Sequence, residues 1–220
     1  MGCAAIIVAS GSSRRMGFDK LAAAIRGTPV LVHSVRAFMA AKEITWVIVV
    51  CPDARFRLLD GTVFPKPLER VDGGDQRQDS VANGLAALGP DDLLVAVHDG
   101  ARPLVRPESI DACIAVARQH GAATLAHAVT DTLKRADAEN FARSSVDRSN
   151  LWAMETPQVF RTSLLREAFA VVAERQLAMT DEVSALEAIG VPTKLVTSLF
   201  PNPKITVPAD IPLATALLLK

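Results

Sequence analysis

The sequence predicts an α/β fold built on a doubly wound, mostly parallel sheet. Short apolar runs without alternation, at residues 3–8, 46–51 and 93–97, have the pattern of strands covered on both faces. Stretches of helical periodicity separate them, at the spacing of right-handed parallel crossovers. The polar motifs follow the ends of these runs, where open α/β sheets bind their ligands. At 220 residues, half of them hydrophobic, the chain is long enough for one sizeable core. One domain spanning residues 1–220 is expected.

Taken in order, the strand at 3–8 leads into a loop of small residues at 9–17. Thr28-Pro29 opens a helix with Leu31, Val35, Phe38 and Met39 on one face and proline in its first turn. The β-branched run at 46–51 stops at Pro52, and 53–59 reads as a short helix. Prolines at 65 and 67 interrupt the chain before a strand end and glycine turn at 69–75. Asp79-Ser80 then caps a helix reaching residue 88. The buried strand at 93–97 ends in His98-Asp99-Gly100-Ala101-Arg102-Pro103. Residues 107–120 are helical, with Ile110, Cys113, Ile114 and Ala117 on one face, and 122–126 form a strand.

From 130 to 160 the pattern breaks. Thr130-Asp131-Thr132-Leu133-Lys134-Arg135 and Ser145-Val146-Asp147-Arg148 read as two strands of an excursion turning at 136–140, and an insertion of this length is usually functional or interfacial. Helices return at 162–175 and 181–189, a last strand at 194–196, a loop at 201–206 and a closing helix from Asp210. No repeat, low-complexity tract or linker interrupts the chain.

Composition narrows the partners. Lys plus Arg and Asp plus Glu both number 24, so no electrostatic footprint for nucleic acid or an anionic membrane is present. The three cysteines stand far apart in apolar contexts, as reduced core thiols do. No apolar run reaches the ~18 residues of a membrane span. The basic residues near the N-terminus follow the apolar run, the reverse of a signal peptide. A soluble cytoplasmic protein is expected.

Four motifs carry the chemistry. In Ala9-Ser10-Gly11-Ser12-Ser13-Arg14-Arg15-Met16, small residues let backbone N–H groups approach phosphate oxygens, with Arg15 and Lys20 adding charge. It is neither a Walker loop nor a dinucleotide fingerprint, and an ordinary βα turn fits the same residues. Gly73-Gly74-Asp75-Gln76-Arg77-Gln78-Asp79-Ser80 allows close approach to a base or sugar, and equally suits a capped tight turn. Asp99, at a strand end, is placed to hold Mg²⁺ on phosphates, with Arg102 ready for a second anion. His98 reads as a core histidine with no catalytic role. Thr180-Asp181-Glu182 reads locally as a helix cap, and Lys204 and Arg148 as solvated cations.

The ordered set of motifs resembles the 2-C-methyl-D-erythritol 4-phosphate cytidylyltransferase family over almost the whole chain. Besides the first three motifs, the set includes Thr-Asp-Thr-Leu-Lys-Arg, Asp-Arg-Ser-Asn-Leu-Trp, Thr156-Pro157-Gln158, the fourth motif extended to Thr-Asp-Glu-Val-Ser-Ala-Leu-Glu, and Asn-Pro-Lys-Ile-Thr. The resemblance implies a Rossmann-like fold with a protruding β-arm at about 130–160 that dimerises. It also implies transfer of a cytidylyl group from CTP to 2-C-methyl-D-erythritol 4-phosphate, giving 4-diphosphocytidyl-2-C-methyl-D-erythritol and pyrophosphate, with Mg²⁺ or another divalent cation as cofactor.

Residue by residue, the resemblance makes Arg15, Lys20, Lys204 and Arg148 catalytic. Ala9, Ser10, Gly11, Ser12, Lys20, Gly74, Asp75, Arg77, Ser80, Asp99 and Ala101 become nucleotide contacts. Asp99, Arg102, Thr132, Arg148 and Thr180 become acceptor contacts, Asp99 also serves the metal, and Thr132 and Arg148 act from the arm on a neighbouring subunit. Three positions depart from the family pattern. Ser10 stands where Ala or Gly is usual, Asp19 where Pro is usual in a shortened approach to Lys20, and Gly100 where Ala is usual. Rival readings are a cytidylyltransferase for another polyol phosphate such as ribitol 5-phosphate, a molybdenum-cofactor nucleotidyltransferase, whose Arg-Met-Gly-x-Asp-Lys loop residues 15–20 echo, and a non-catalytic nucleotide-sensing module.

Overall fold

Strand β1 (Cys3–Val8) is the middle of the molecule, hydrogen-bonded in parallel on both sides. The computed structural model of the protein describes residues 2–13 and 16–218. After β1 come a two-residue hairpin, β2 (Ala24–Ile25) and β3 (Thr28–Pro29), then helix α1 (Val30–Ala40) and β4 (Ile44–Val50). Helix α2 (Asp53–Phe56) tightens into a 3₁₀ turn over Arg57–Leu59, and β5 (Leu68–Val71) and α3 (Arg77–Ala86) follow. Next are β6 (Leu94–Asp99), α4 (Pro107–His120), β7 (Ala122–Ala128), β8 (Lys134–Ala136), β9 (Ala142–Ser145) and β10 (Trp152–Arg161). The chain closes with α5 (Thr162–Arg175), α6 (Glu182–Glu187), β11 (Lys194–Thr197) and α7 (Asp210–Leu217).

Seven strands form the central sheet in the order β11-β7-β10-β6-β1-β4-β5. Every neighbouring pair is parallel except the two made by β10. The unbroken apolar runs follow from this placement. Ala5 and Ile7 of β1, with Val47 and Val49 of β4, pack under Leu31, Phe38, Ile110 and Ile114 of α1 and α4. Ala4 and Ile6, with Ile48 and Val50, pack on the opposite face among Val81, Leu85, Leu165 and Leu186 of α3, α5 and α6. Successive side chains point to opposite faces, so a strand sandwiched between two helix layers needs an apolar residue at every position.

Local sequence explains several boundaries. Helix α4 starts with proline in its first turn and ends at Gly121, whose φ of 88° is left-handed. Helix α3 begins before the expected Asp79-Ser80 cap. Gln76 takes the cap position, and Asp79, three residues in, turns back so that its Oδ2 accepts the Gln76 N–H at 2.9 Å. Inside α3, a Cβ on Gly84 would stand 2.7 Å from Ile6 Cγ2, so glycine is what lets the helix lie this close to β1.

The expected excursion at 130–160 is shorter than its sequence suggests. Only β8 and β9 project, pairing with each other in a hairpin whose strand residues are all exposed. β10 instead turns back and inserts antiparallel between β7 and β6. Its strand character was masked because Glu155, Thr156 and Gln158 are polar yet buried, and Pro157 interrupts the run. The proline lies where the register with β7 shifts between Met154 and Gln158, a site that lacks a regular ladder bond to lose.

The placement of β10 has a stability signature. Phe160 is fully buried beside Leu165 and Val172. Phe160→Ala is expected to cost about 3–5 kcal/mol in urea unfolding, against the ~0.5 kcal/mol or less of a surface loop position.

Candidate active site

The loops after β1, β5 and β6 meet at the carboxyl edge of the sheet. The Ala9 N–H is tied to the Val50 carbonyl of β4 at 2.9 Å, which sets the direction in which the first loop leaves β1. Ser10 Oγ lies 2.7 Å from Ser80 Oγ, and Gly74 N donates to the same Ser80 oxygen at 3.1 Å. Ser80 is fully buried at this junction. A Cβ on Gly73 would lie 2.5 Å from Ser10 Cβ, so only glycine permits the contact. Ser10, a departure from the family pattern, thus points its hydroxyl into the junction between the two glycine loops.

In front of this junction is a cavity of ≈ 270 Å³. The first loop contributes Ala9, Ser10, Gly11, Ser12 and Lys20, the second Gly74, Asp75 and Arg77. Asp99, Ala101 and the catalytic candidate Lys204 line it as expected; Ser80, also expected as a nucleotide contact, is fully buried at the junction behind it and does not, whereas Gln76, which sequence reasoning left unassigned, does. A second cavity of ≈ 310 Å³ adjoins it and contains Arg102, Thr180, Glu155, Thr156, Gln158 and Asp181. Arg77, Asp99 and Lys204 line both.

That shared wall is a charge network. Lys204 Nζ is 2.7 Å from Asp99 Oδ2, and Arg77 Nε donates to Asp99 Oδ1 at 3.0 Å. Arg77 also forks onto the fully buried Glu182 at 2.6 and 2.9 Å. Burial alone would push the Asp99 carboxyl up, but Arg77, Lys204 and Arg102 hold it well below the usual carboxylate range. Burial opposes the charge on Arg77 as well, and Glu182 and Asp99 more than offset it, so its guanidinium stays protonated. Arg102 Nε is buried without a hydrogen-bond partner, 3.9 Å from Asp99 Oδ2.

Lys204 is held in place by its neighbours in the chain. Asn202 Nδ2 donates to Glu155 Oε2 and to the Thr156 carbonyl, each at 2.9 Å, while Arg102 Nη1 donates to the Asn202 carbonyl at 2.8 Å. Ile205 N donates to the Ala101 carbonyl at 2.8 Å, and Lys20 Nζ reaches the Ile205 carbonyl at 2.8 Å. Lys20 of the first loop is therefore tied to Ile205, the residue next to the late lysine and 185 positions along the chain.

His98 lies behind Asp99, fully buried against Phe38. Its Nε2 faces the Arg102 carbonyl at 3.2 Å, which only accepts, so Nε2 carries the hydrogen. Nδ1 then accepts from the Thr156 hydroxyl at 2.9 Å, and that hydroxyl accepts the Asp99 N–H at 3.1 Å. Burial lowers its pKa to about 3, which keeps the ring neutral.

Arg15 lies outside the described residues. Thr132 and Arg148 lie on the exposed arm and line neither cavity; Arg148 Nη1 donates to the Thr130 carbonyl. Sequence reasoning missed Glu182, Gln158, Glu155 and Asn202. Gln158 Oε1 accepts the Glu182 and Val183 N–H groups and its Nε2 donates to Asp181 Oδ2 at 2.9 Å, docking α6 on β10. Polar residues at buried positions of a strand were the signal available for Glu155 and Gln158.

Comparison with known proteins identifies the family of the chain. The family model for 2-C-methyl-D-erythritol 4-phosphate cytidylyltransferase matches residues 3–220. A relative with that name from Pelotomaculum thermopropionicum is 39% identical over 222 residues, covering 98% of this chain and 93% of its own length. One from Synechococcus sp. (strain CC9902) is 41% identical, covering 97% and 96%. The crystal structure of the enzyme from Thermus thermophilus superposes with a TM-score of 0.82 at 32% identity over the full length of both chains. That of 4-diphosphocytidyl-2C-methyl-D-erythritol synthase from Anaerococcus prevotii gives 0.86 at 28%, covering 100% of this chain and 96% of that one.

The neutral His98 makes the fold acid-sensitive. Below the unfolded pKa near 6.5 the unfolded chain takes up a proton that the folded one refuses until about pH 3. Stability is therefore full above about pH 6.5 and falls through that window by up to ~1.4 kcal/mol per pH unit for this group. Asp99, held low, adds a loss in the same direction once the pH drops below its unfolded value. Urea unfolding of His98→Gln between pH 6.5 and 4.5 is expected to show a shallower slope than the unmodified protein.

Proposed function

Because the chain belongs to the 2-C-methyl-D-erythritol 4-phosphate cytidylyltransferase family, we propose that its two adjoining cavities are the CTP half and the acceptor half of one active site, with Arg77, Asp99 and Lys204 on the reaction plane between them. The reaction transfers a cytidylyl group from CTP to 2-C-methyl-D-erythritol 4-phosphate. A phosphate oxygen of the acceptor bonds to the α-phosphorus of CTP, the bond from that phosphorus to the β-phosphate breaks, and pyrophosphate leaves with the electron pair. The observation that carries the proposal is that these three charged side chains are shared by both cavities.

The nucleophile is already anionic, so the site needs positioning and charge compensation rather than a strong base. Lys204 and Lys20 supply cations from two directions, and Arg102 with Thr180 meets the acceptor in the second cavity. Arg15 joins them by resemblance. Glycine-loop backbone at Gly11 and Gly74 approaches the nucleotide, and the Ser10–Ser80 contact keeps the two loops together.

A divalent cation such as Mg²⁺ fits the donor chemistry of Asp99. Mg²⁺ uses one or two carboxylates and completes its shell with phosphate oxygens and water. Among the described residues no group of three or more His, Cys, Asp or Glu side chains is placed to hold a metal ion. When bound, it neutralises phosphate charge. Asp99 would hold it at an oxygen that now pairs with a cation, either Oδ1 beside Arg77 or Oδ2 beside Lys204.

The arm supports a homodimer. A lone two-stranded hairpin is marginal in water, and this one carries a 59% exposed Phe141 as well as Arg148 beyond its second strand. A neighbouring copy of the chain would cover it, and Thr132 and Arg148 would complete that copy's acceptor half. Three buried free thiols suit a reducing, cytoplasmic setting, and no helix among the described residues is long and apolar enough to cross a membrane. The whole chain then acts as one nucleotidyltransferase domain with its arm.

Pyrophosphate release with Mg²⁺, each of the four nucleotides and a panel of polyol phosphates tests the activity, and CTP with 2-C-methyl-D-erythritol 4-phosphate is expected to dominate. Lys204→Ala is expected to lower kcat by about 10²–10³ with the melting temperature retained. Arg148→Ala is expected to raise the acceptor's KM by roughly ten- to a hundredfold and leave CTP binding unchanged, as loss of a charge-assisted hydrogen bond does. Mixing the two variants is expected to regain activity, because a mixed dimer holds one site with both residues intact.

A further inference from the structure

Arg55, on the short helix α2, was not among the residues the sequence singled out, and it lines neither cavity. Its side chain is only 12% exposed, although Asp53, Ala54 and Arg57 around it face solvent. The guanidinium holds the first loop from two ends. Nη1 donates to the carbonyl of Ala9 and, at 3.2 Å, to that of Gly11. Nε donates to Asp19 Oδ2 at 2.9 Å. The other oxygen of Asp19 accepts the Leu21 N–H at 3.0 Å, so the carboxylate brackets Lys20. Asp19 is the position where the family pattern has proline.

These contacts have an electrostatic sense. A loop that receives phosphate through backbone N–H groups must keep its carbonyl oxygens away from the ligand, because like partial charges repel. Ala9 and Gly11 both line the nucleotide cavity, and Arg55 draws both their carbonyls to itself. A proline before Lys20 would limit that backbone by fixing φ. Here a carboxylate held by Arg55 restrains the same backbone through a salt bridge and an N–H bond.

We propose that Arg55 is a positioning residue for cytidylyl transfer. It orients the Ala9–Gly11 backbone for the triphosphate and, through Asp19, aims Lys20. The inference rests on the reading of this loop as the CTP half of the site.

The test is CTP affinity by calorimetry, with two-substrate kinetics and a melting temperature, for the unmodified protein, Arg55→Ala, Arg55→Lys and Asp19→Asn. Arg55→Ala is expected to raise the Kd and KM for CTP about tenfold or more while the acceptor's KM stays unchanged. Arg55→Lys should recover only part of this, since a single ammonium nitrogen cannot occupy both the Nη1 position at the two carbonyls and the Nε position at the carboxylate. Asp19→Asn should lower kcat more than it weakens CTP binding, because the loop carbonyls keep their donor while Lys20 loosens. If the unmodified protein binds CTP and Arg55→Ala binds it equally well, the inference is overturned while the site reading stands. An unmodified protein that does not bind CTP overturns the site reading itself. Should Arg55→Ala fail to fold, an Asp19→Asn variant with unchanged kcat and CTP affinity overturns the inference on its own.

Discussion

One carboxylate organises this molecule. Asp99 ends a central strand, is almost buried, and faces three cationic side chains, two of them, Arg77 and Lys204, from distant parts of the chain. A buried charge without partners is costly, and partners that hold it must be brought close and kept there. Arg77 arrives from the start of α3, Arg102 from the turn after β6 and Lys204 from the loop before α7. The same constraint reaches further back, since Arg77 is itself fixed by Glu182, and α6, which carries Glu182, is docked by Gln158 of β10. The candidate active site is therefore an electrostatic joint between the parallel half of the sheet and its inserted antiparallel strand.

A buried ion network of this kind contributes little net stability, because desolvation offsets most of its attraction. What it provides is geometry. Before any ligand enters, Lys204 and Arg77 already stand on the plane between the two cavities, and part of the cost of ordering them has been met in folding. The two glycine loops are arranged in the same way, through a hydroxyl pair rather than an ion pair. His98, neutral beneath them, orients the Thr156 hydroxyl that receives the Asp99 N–H.

The parallel half of the fold was legible in sequence because its rule is local. A strand covered on both faces must be apolar at every position, and β1, β4 and β6 are largely so. Helix α4 was legible at both ends, proline at its start and glycine after its last residue. β10 was not, because its middle answers to a buried polar network rather than to the apolar core. Glu155, Thr156 and Gln158 are buried to serve Asn202, Asp99 and α6, so neither apolar pattern nor alternation marks them. Capping chemistry hid Glu182 in a similar way: an acid in the first turn of a helix has a sufficient local reason to be there.

The sequence by itself determined the fold class, the family and most of the side chains that line the two cavities, because strand burial and the ordered motifs are properties of short stretches of chain. The tertiary structure decided how those side chains are joined. Only folding brings Arg77 between Asp99 and Glu182, sets Lys204 on Asp99, closes Ser10 against Ser80 and lays Arg55 behind the first loop. Each of these contacts spans many residues of sequence, and the free energy that fixes it, the pairing of buried polar groups, exists only once water has been excluded around it.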